Sequence, residues 1–388
     1  MQAPVRPRLL HVITVPATLS LMRGQLAYCA DAGFDVHLAA SFDDKLPMSE
    51  AGVTFHSLPL TRNLTPAKDV TSMARMVALI RRLRPDIVQA GTPKAALVGM
   101  LAARIVGTRT RIYHIRGLDH LAGTRGRALA AEAAQRTCCA VATNVLCVSN
   151  SVRENLIAER FCVASKTNVL LRGSSNGVDA VGRFDPERHA SGRAELRRSL
   201  GIPEDSLVIG FVGRLVRDKG IEVLFKAWST LRTEFPSAYL LLVGPFEAGD
   251  ALPRHVKDGL LSDSRVKQTQ TEWGQAASLY STMDVIGFPS VREGFPNVPL
   301  EAAAMGLPVV ATRVVGSVDA VVHGQTGLLI EPRDPDALVK SLRTLLLDAD
   351  YRRRLGAAAR ARVLSDYRPA DLWAAQVDWY RQLLEVAR

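Results

Sequence analysis

The sequence predicts an α/β protein of two doubly wound domains, each a parallel sheet with helices on both faces. Three observations predict it. Short apolar runs alternate with stretches of helical periodicity along the whole chain. Glycine-rich connections follow several of those runs. A chain of 388 residues with 47% hydrophobic content also supplies two sizeable cores.

In the first half the strand-like runs are Leu9 to Val15, Asp35 to Ala40, Asp86 to Gln89, Arg111 to Ile115, Val145 to Val148 and Asn168 to Leu171. In the second half they are Leu207 to Val212, Tyr239 to Val243, Val266 to Thr269, Asp284 to Phe288, Val309 to Ala311 and Leu328 to Ile330. Gly182 to Pro186, the charged helix-like sequence up to Ser199, and then Gly201 and Pro203 read as a linker. The domains are therefore set at 1–180 and 181–368. In the last segment, Pro369 to Arg388, Leu372, Trp373, Val377, Tyr380, Leu383 and Leu384 fall near helical spacing and need a surface to cover.

Composition narrows the function classes. The formal net charge is +11, and it is uneven: residues 1–180 hold 22 Lys and Arg against 12 Asp and Glu, the remainder 27 against 26. A basic first half favours an anionic partner such as a membrane surface or a lipid diphosphate, and reads equally as a solvated Arg-rich surface. Nucleic acid is not expected, because aromatics are only 6% and neither arginine-aromatic interleaving nor zinc spacing appears. Cys29, Cys138, Cys139, Cys147 and Cys162 form no Cys-x-x-Cys pair and no metal spacing, so reduced thiols in the cytoplasm are expected. The opening segment is interrupted by His11, Thr14 and Pro16 and reads as a first strand, not a signal peptide. No apolar run is long enough for a spanning helix, so any membrane contact is expected from the side.

Two segments carry chemistry. Asp284 to Pro289 leads into a loop holding Glu293, and Asn297 and Pro299 are expected to cap and open a short helix through Met305, ended by Gly306. Glu293 then lies at the carboxyl end of a strand and Glu301 near the start of a helix, where open α/β sheets bind ligands. Helix N–H groups suit a phosphate and carboxylates suit hydroxyls, which together fit a nucleotide sugar. Taken alone, the pair reads more readily as a loop carboxylate and a helix-dipole partner. The second segment shifts that balance: Leu207 to Gly213 delivers Arg214 and then Lys219-Gly220 to the opening of a helix with apolar Ile221, Leu224, Phe225, Trp228 and Leu231 on one face. There the two cations can meet a diphosphate as a fork and a point charge.

These motifs, with Val243-Gly244, Pro289-Ser290, Glu293-Gly294, Glu301-Ala302, Pro308 to Ala311, Gly324 and Thr326-Gly327, resemble glycosyltransferase family 4, retaining nucleotide-sugar transferases. The resemblance implies the GT-B fold, two Rossmann-like domains facing a cleft with the last helix crossing back to the amino-terminal domain. By position it implies that Arg214 and Lys219 hold the donor diphosphate, Glu293 faces the transferred sugar and Glu301 grips the ribose. Gly213, Gly294, Phe295, Asn297 and Val298 complete the implied donor site, and a UDP-sugar is the favoured donor.

The first half, through Thr14-Val-Pro16, Arg23-Gly-Gln25, Thr92-Pro-Lys94, Tyr113 to Leu118 and Gly173 to Asp179, resembles bacterial transferases that build capsule, O-antigen or exopolysaccharide on a polyprenyl diphosphate. It departs from them at Pro16 to Ser20, where many relatives carry a Gly-Gly loop, and at Gln89 and Gly91, where relatives show histidines. Pro16, Lys94 and Arg116 are the acceptor candidates, and His114, at a strand end, the catalytic one. His114 reads equally as a hydrogen-bonded histidine at a sheet edge, and Arg116 as half of an ion pair. Lys94 at a helix start is electrostatically unfavourable unless an anion joins it. The resemblance implies same-face attack through an ion-pair transition state, with the donor phosphate taking the proton. No metal or other cofactor is expected: the most obvious Asp-x-Asp, Asp348-Ala-Asp350, reads as a solvated turn. A nucleotide-sugar 2-epimerase of the same architecture and a transferase with a soluble acceptor remain the alternatives.

Overall fold

The computed structural model describes residues 6–14, 16–42, 50–61, 66–118, 125–270 and 276–387. The chain divides into two compact units, Met1–Asn176 with Pro369–Arg388, and Gly177–Arg368. The first boundary thus falls four residues before the sequence-based one.

The first unit holds β1 (Arg8–Val12), β2 (Asp35–Ala40), β3 (Val53–Ser57), β4 (Ile87–Ala90), β5 (Thr110–Ile115), β6 (Asn144–Cys147) and β7 (Thr167–Asn168). They form one sheet in the order β3-β2-β1-β4-β5-β6-β7, with every pairing parallel. The second unit holds β8 (Val208–Val212), β9 (Tyr239–Val243), β10 (Val266–Thr269), β11 (Val285–Phe288), β12 (Val309–Thr312) and β13 (Gly327–Ile330), in the order β10-β9-β8-β11-β12-β13, again parallel. In each sheet the winding reverses beside its first strand, between β1 and β4 and between β8 and β11. Loops leaving the carboxyl ends of those paired strands diverge there and open a crevice. Parallel strands covered on both faces must be apolar throughout, and β8 reads Val-Ile-Gly-Phe-Val with all five residues buried.

The helix Pro369–Ala387 belongs to the first unit. Val377 and Tyr380 are buried in the same core as Leu9, Leu26 and Val36, and Leu383 and Leu384 pack against it. Trp373 donates from Nε1 to Asn176 Oδ1 at 2.7 Å, and its ring fills the space beside Gly24, where a Cβ would lie 2.6 Å from the indole.

Two expectations need correction. The edge strand β3 was not expected: its half-buried Val-Thr-Phe-His-Ser alternates too weakly to stand out from a loop. The charged stretch is helical as expected, Pro186–Ala190 and Arg193–Ser199, but it is part of the second unit and not a linker. Arg197 is only 1% exposed; it donates to the carbonyls of Thr282, Glu204 and Ser206 and pairs with Asp284 at 3.0 Å. A guanidinium with five donors can be buried when carbonyls and a carboxylate meet them, and here it fastens the helix to the sheet.

Candidate active site

In the second unit, backbone contacts that only glycine permits bring the loops after β8 and β11 together. Gly220 has φ 73° and a Cβ there would lie 2.0 Å from the Pro289 carbonyl oxygen, so the turn Arg217–Lys219 presses directly on the end of β11. Val291 N–H donates to the Asp218 carbonyl at 2.9 Å and locks the same approach. As a result Lys219 Nζ donates to Glu293 Oε1 at 2.6 Å, with the side chains 19% and 11% exposed. Arg214 is more open at 47%, pairing with Glu247 at 2.9 Å and Asp218 at 3.7 Å, while Arg292 reaches Asp218 at 3.3 Å. Three cations and three carboxylates therefore converge at the crevice of the second sheet.

The helix Asn297–Ala304 begins beside them. Its cap position is Pro296 and no side chain caps it, so Asn297 is its first helical residue, a correction to the cap assigned from the sequence. Pro299 has no N–H, which leaves Asn297 and Val298 as donors at the helix start. Gly316, at φ 82°, backs this loop: its Cβ would lie 2.2 Å from the Gly294 carbonyl oxygen. Phe295 is buried with its ring 5.7 Å from that of Tyr367, so its side chain is a core contact. Glu301 accepts from Tyr280 Oη at 2.8 Å. Burial raises the Glu301 pKa, opposed in part by that hydrogen bond and by the charge of Arg183.

In the first unit the carboxyl ends of β1, β4 and β5 gather His11, Gln89, His114 and Arg116. His114 is 3% exposed and its Nδ1 lies 3.3 Å from Gln89 Nε2. Burial first, then the charge of Arg116, hold its pKa well below the ordinary histidine value, and the same two causes bring His11 down to about 3. Arg116 Nε and Nη1 are buried with no partner among the described residues, and burial lowers its pKa to about 10. The ion pair considered for Arg116 is thus not seen among the described residues. Lys94 is corrected in the other direction: its ammonium pairs with Asp69 at 2.5 Å and donates to Thr61 at 2.7 Å, so its charge at the helix start is met inside the domain. The side chain of Pro16 lies outside the described residues. Asp348 caps the helix Ala349–Asp366 and Asp350 pairs with Arg353, so each acid of Asp348-Ala-Asp350 has a local structural role.

Family models match both units: "Glycosyl transferase 4-like domain" over residues 20–173 and "Glycosyl transferases group 1" over residues 192–362. The capsular polysaccharide biosynthesis glycosyltransferase CapM of Staphylococcus aureus is 30% identical over 379 residues, 97% of this chain and 98% of that one. The chain belongs to the group 1 glycosyl transferases. A D-inositol 3-phosphate glycosyltransferase of Corynebacterium urealyticum is 38% identical to this transferase over 204 residues, 50% of this chain and 45% of that one. Among solved structures, sucrose-phosphate synthase from Thermosynechococcus elongatus has a TM-score of 0.82 at 23% identity, covering 98% and 100% of the two chains. HepE of Anabaena in complex with UDP-glucose has a TM-score of 0.75 at 20% identity, covering 97% and 99%. These likenesses establish the fold of this transferase as GT-B.

Several residues of the site escape sequence reasoning. Tyr280 sits in an apolar helix and reads as core until Glu301, 21 residues later, folds back to it. Glu247 and Asp218 are ordinary loop acids in sequence, and Tyr380 is one aromatic on an amphipathic stripe.

Proposed function

We propose that this transferase moves a hexosyl or N-acetylhexosaminyl group from a UDP-sugar to a polyprenyl-diphosphate-linked saccharide, with retention at the anomeric carbon, in cell-surface polysaccharide synthesis. The observation that carries the reading is the Lys219–Glu293 ion pair at the second sheet's crevice, with Arg214 and an uncapped helix start beside it. The names of CapM and of the UDP-glucose complex of HepE support the pathway and the donor. In this reading Arg214, Lys219 and the N–H groups of Asn297 and Val298 take the charge that develops on the leaving diphosphate, so the transfer needs no metal. Glu293 faces the sugar, Glu301 accepts from the ribose hydroxyls, and His114 touches the reacting sugar. The guanidinium of Arg116, whose Nε and Nη1 have no partner among the described residues, suits a phosphate on the acceptor. The inositol-phosphate relative favours a second reading, in which that phosphate belongs to a soluble acceptor.

A panel of nucleotide sugars read by thermal unfolding tests the donor: the true one should stabilise the fold by about 2.7 kcal/mol at 100 times its Kd. Product analysis should then find the sugar on a lipid-extractable acceptor with its anomeric configuration kept. Inversion, or conversion of the donor without any acceptor, overturns the reading; the latter is the mark of an epimerase.

The same reading places the enzyme at the cytoplasmic face of an anionic membrane. Among the described residues no helix is long and apolar enough to cross one. Arg81, Arg84 and Arg109 line a groove of about 780 Å³ at the amino ends of β1, β4 and β5, with apolar Ile80, Val106 and Leu384 between them. Arg111 is spent on the carbonyls of Thr108 and Val141, and the side chains of Arg125 and Arg127 lie outside the described residues. Each arginine near an anionic surface contributes about 1 kcal/mol, screened over about 8 Å at physiological salt. Sedimentation with anionic liposomes is expected to fall steeply as salt rises and to be absent with neutral ones; equal binding to both would refute the charge-driven contact.

A further inference from the structure

A line of buried amides and a phenol runs from the carboxy-terminal helix to His114. Gln25 Nε2 donates to Gln376 Oε1 at 2.8 Å; Gln376 Nε2 donates to Tyr380 Oη; Tyr380 Oη donates to Gln89 Oε1 at 2.6 Å; and Gln89 Nε2 meets His114 Nδ1 at 3.3 Å. Gln25, Tyr380, Gln376 and Gln89 are each 0–2% exposed. The direction of such a line is collective: each amide can turn over only if all of them do. Reversed, the line would leave both N–H groups of the Gln25 amide buried without an acceptor. As drawn, one Gln25 N–H is met and Oε1 is the atom left without a partner among the described residues, the less costly defect for a carbonyl with two lone pairs.

We infer that this line fixes the tautomer of His114, with Nδ1 accepting from Gln89 and the proton on Nε2, so that Nε2 donates to an oxygen of the reacting sugar. The inference rests on the proposed contact between His114 and the sugar and adds what the imidazole does there: it is a hydrogen-bond donor and not a base. Nε2 has no partner among the described residues, so its proton is available to a ligand. Burial and the guanidinium of Arg116 oppose a second proton on the ring, which keeps the choice between two neutral tautomers. Gln89 and Tyr380 are then positioning residues.

Nitrogen-15 spectra of histidine-labelled protein read the tautomer directly, with the His114 signals identified among the eight histidines by their loss in His114→Asn. Wild type should show a bare Nδ1 and a protonated Nε2. In Gln89→Glu the carboxylate offers acceptors only, so the proton should move to Nδ1 and kcat should fall about 100-fold, the scale of one lost donor at a developing charge, with donor KM little changed. Tyr380→Phe removes the hydroxyl that holds the Gln89 oxygen and should give a mixture of tautomers, an independent readout where the glutamate variant fails to fold. An active enzyme whose wild-type His114 carries its proton on Nδ1, or a Gln89→Glu spectrum identical to wild type, overturns the inference and leaves the transferase reading intact. A protein with the Nε2 proton and no transfer from any nucleotide sugar confirms the tautomer and overturns that reading instead.

Discussion

Replacing Arg214 and Lys219 together with alanine should reduce transfer by about 10³-fold or more while the protein still folds, because in the proposed function each is a donor to the leaving diphosphate. The two single variants should differ. Arg214 is 47% exposed and paired with acids that water can also solvate, so Arg214→Ala should cost activity and little stability. Lys219 and Glu293 are mostly buried, and removing the ammonium strands a carboxylate that is only 11% exposed. Lys219→Ala should therefore lose stability as well, which Glu293→Gln in the same chain should restore without restoring transfer. Initial rates with the donor found by screening, alongside denaturant unfolding, separate the two effects. Transfer surviving in the double variant, or depending entirely on added divalent metal, would sink the proposed leaving-group chemistry.

This coupling of charge and burial also marks how far the sequence could be read. Strands β2 and β9 were located to the residue because their apolar runs follow a turn and are buried throughout the second half of each. The edge strand β3 is hard to read because its half-buried residues alternate too weakly, whereas the Arg197 helix has its place in the second unit fixed by a partner distant in sequence. Nothing near Arg197 announces that Asp284, 87 residues on, will meet it. At the site, Lys219 and Glu293 were legible as residues at strand ends, where the doubly wound topology converges, but their pairing was not. It depends on a carbonyl of Pro289 seated against Gly220, a contact that composition and periodicity do not encode. The same holds in the first unit, where Gln89 stood out only as a departure from related enzymes and acquires a role once Tyr380 reaches it.

Glu301 gives the second large expected effect, and one whose sign depends on pH. Glu301→Ala, or the closer mimic Glu301→Gln, should weaken donor binding by about one to two decades, the worth of a charge-assisted hydrogen bond of about 1.5–3 kcal/mol. Stability should move the other way. Burial raises the Glu301 pKa above its ordinary 4.5, so as pH rises past 4.5 the unfolded chain releases a proton that the native state still holds. The unfolded state then binds fewer protons, and native stability falls across the interval up to the raised folded value. Above it the ionised carboxylate is a constant burden, offset in part by Tyr280 and Arg183. Glutamine keeps an oxygen for the Tyr280 hydroxyl and does not titrate. The Tm of Glu301→Gln relative to wild type should therefore climb as pH rises through that interval, while its nucleotide affinity stays poor at neutral pH. A difference in Tm that is flat with pH would mean the carboxylate is not held against its ionisation, and normal donor affinity would remove Glu301 from the ribose site.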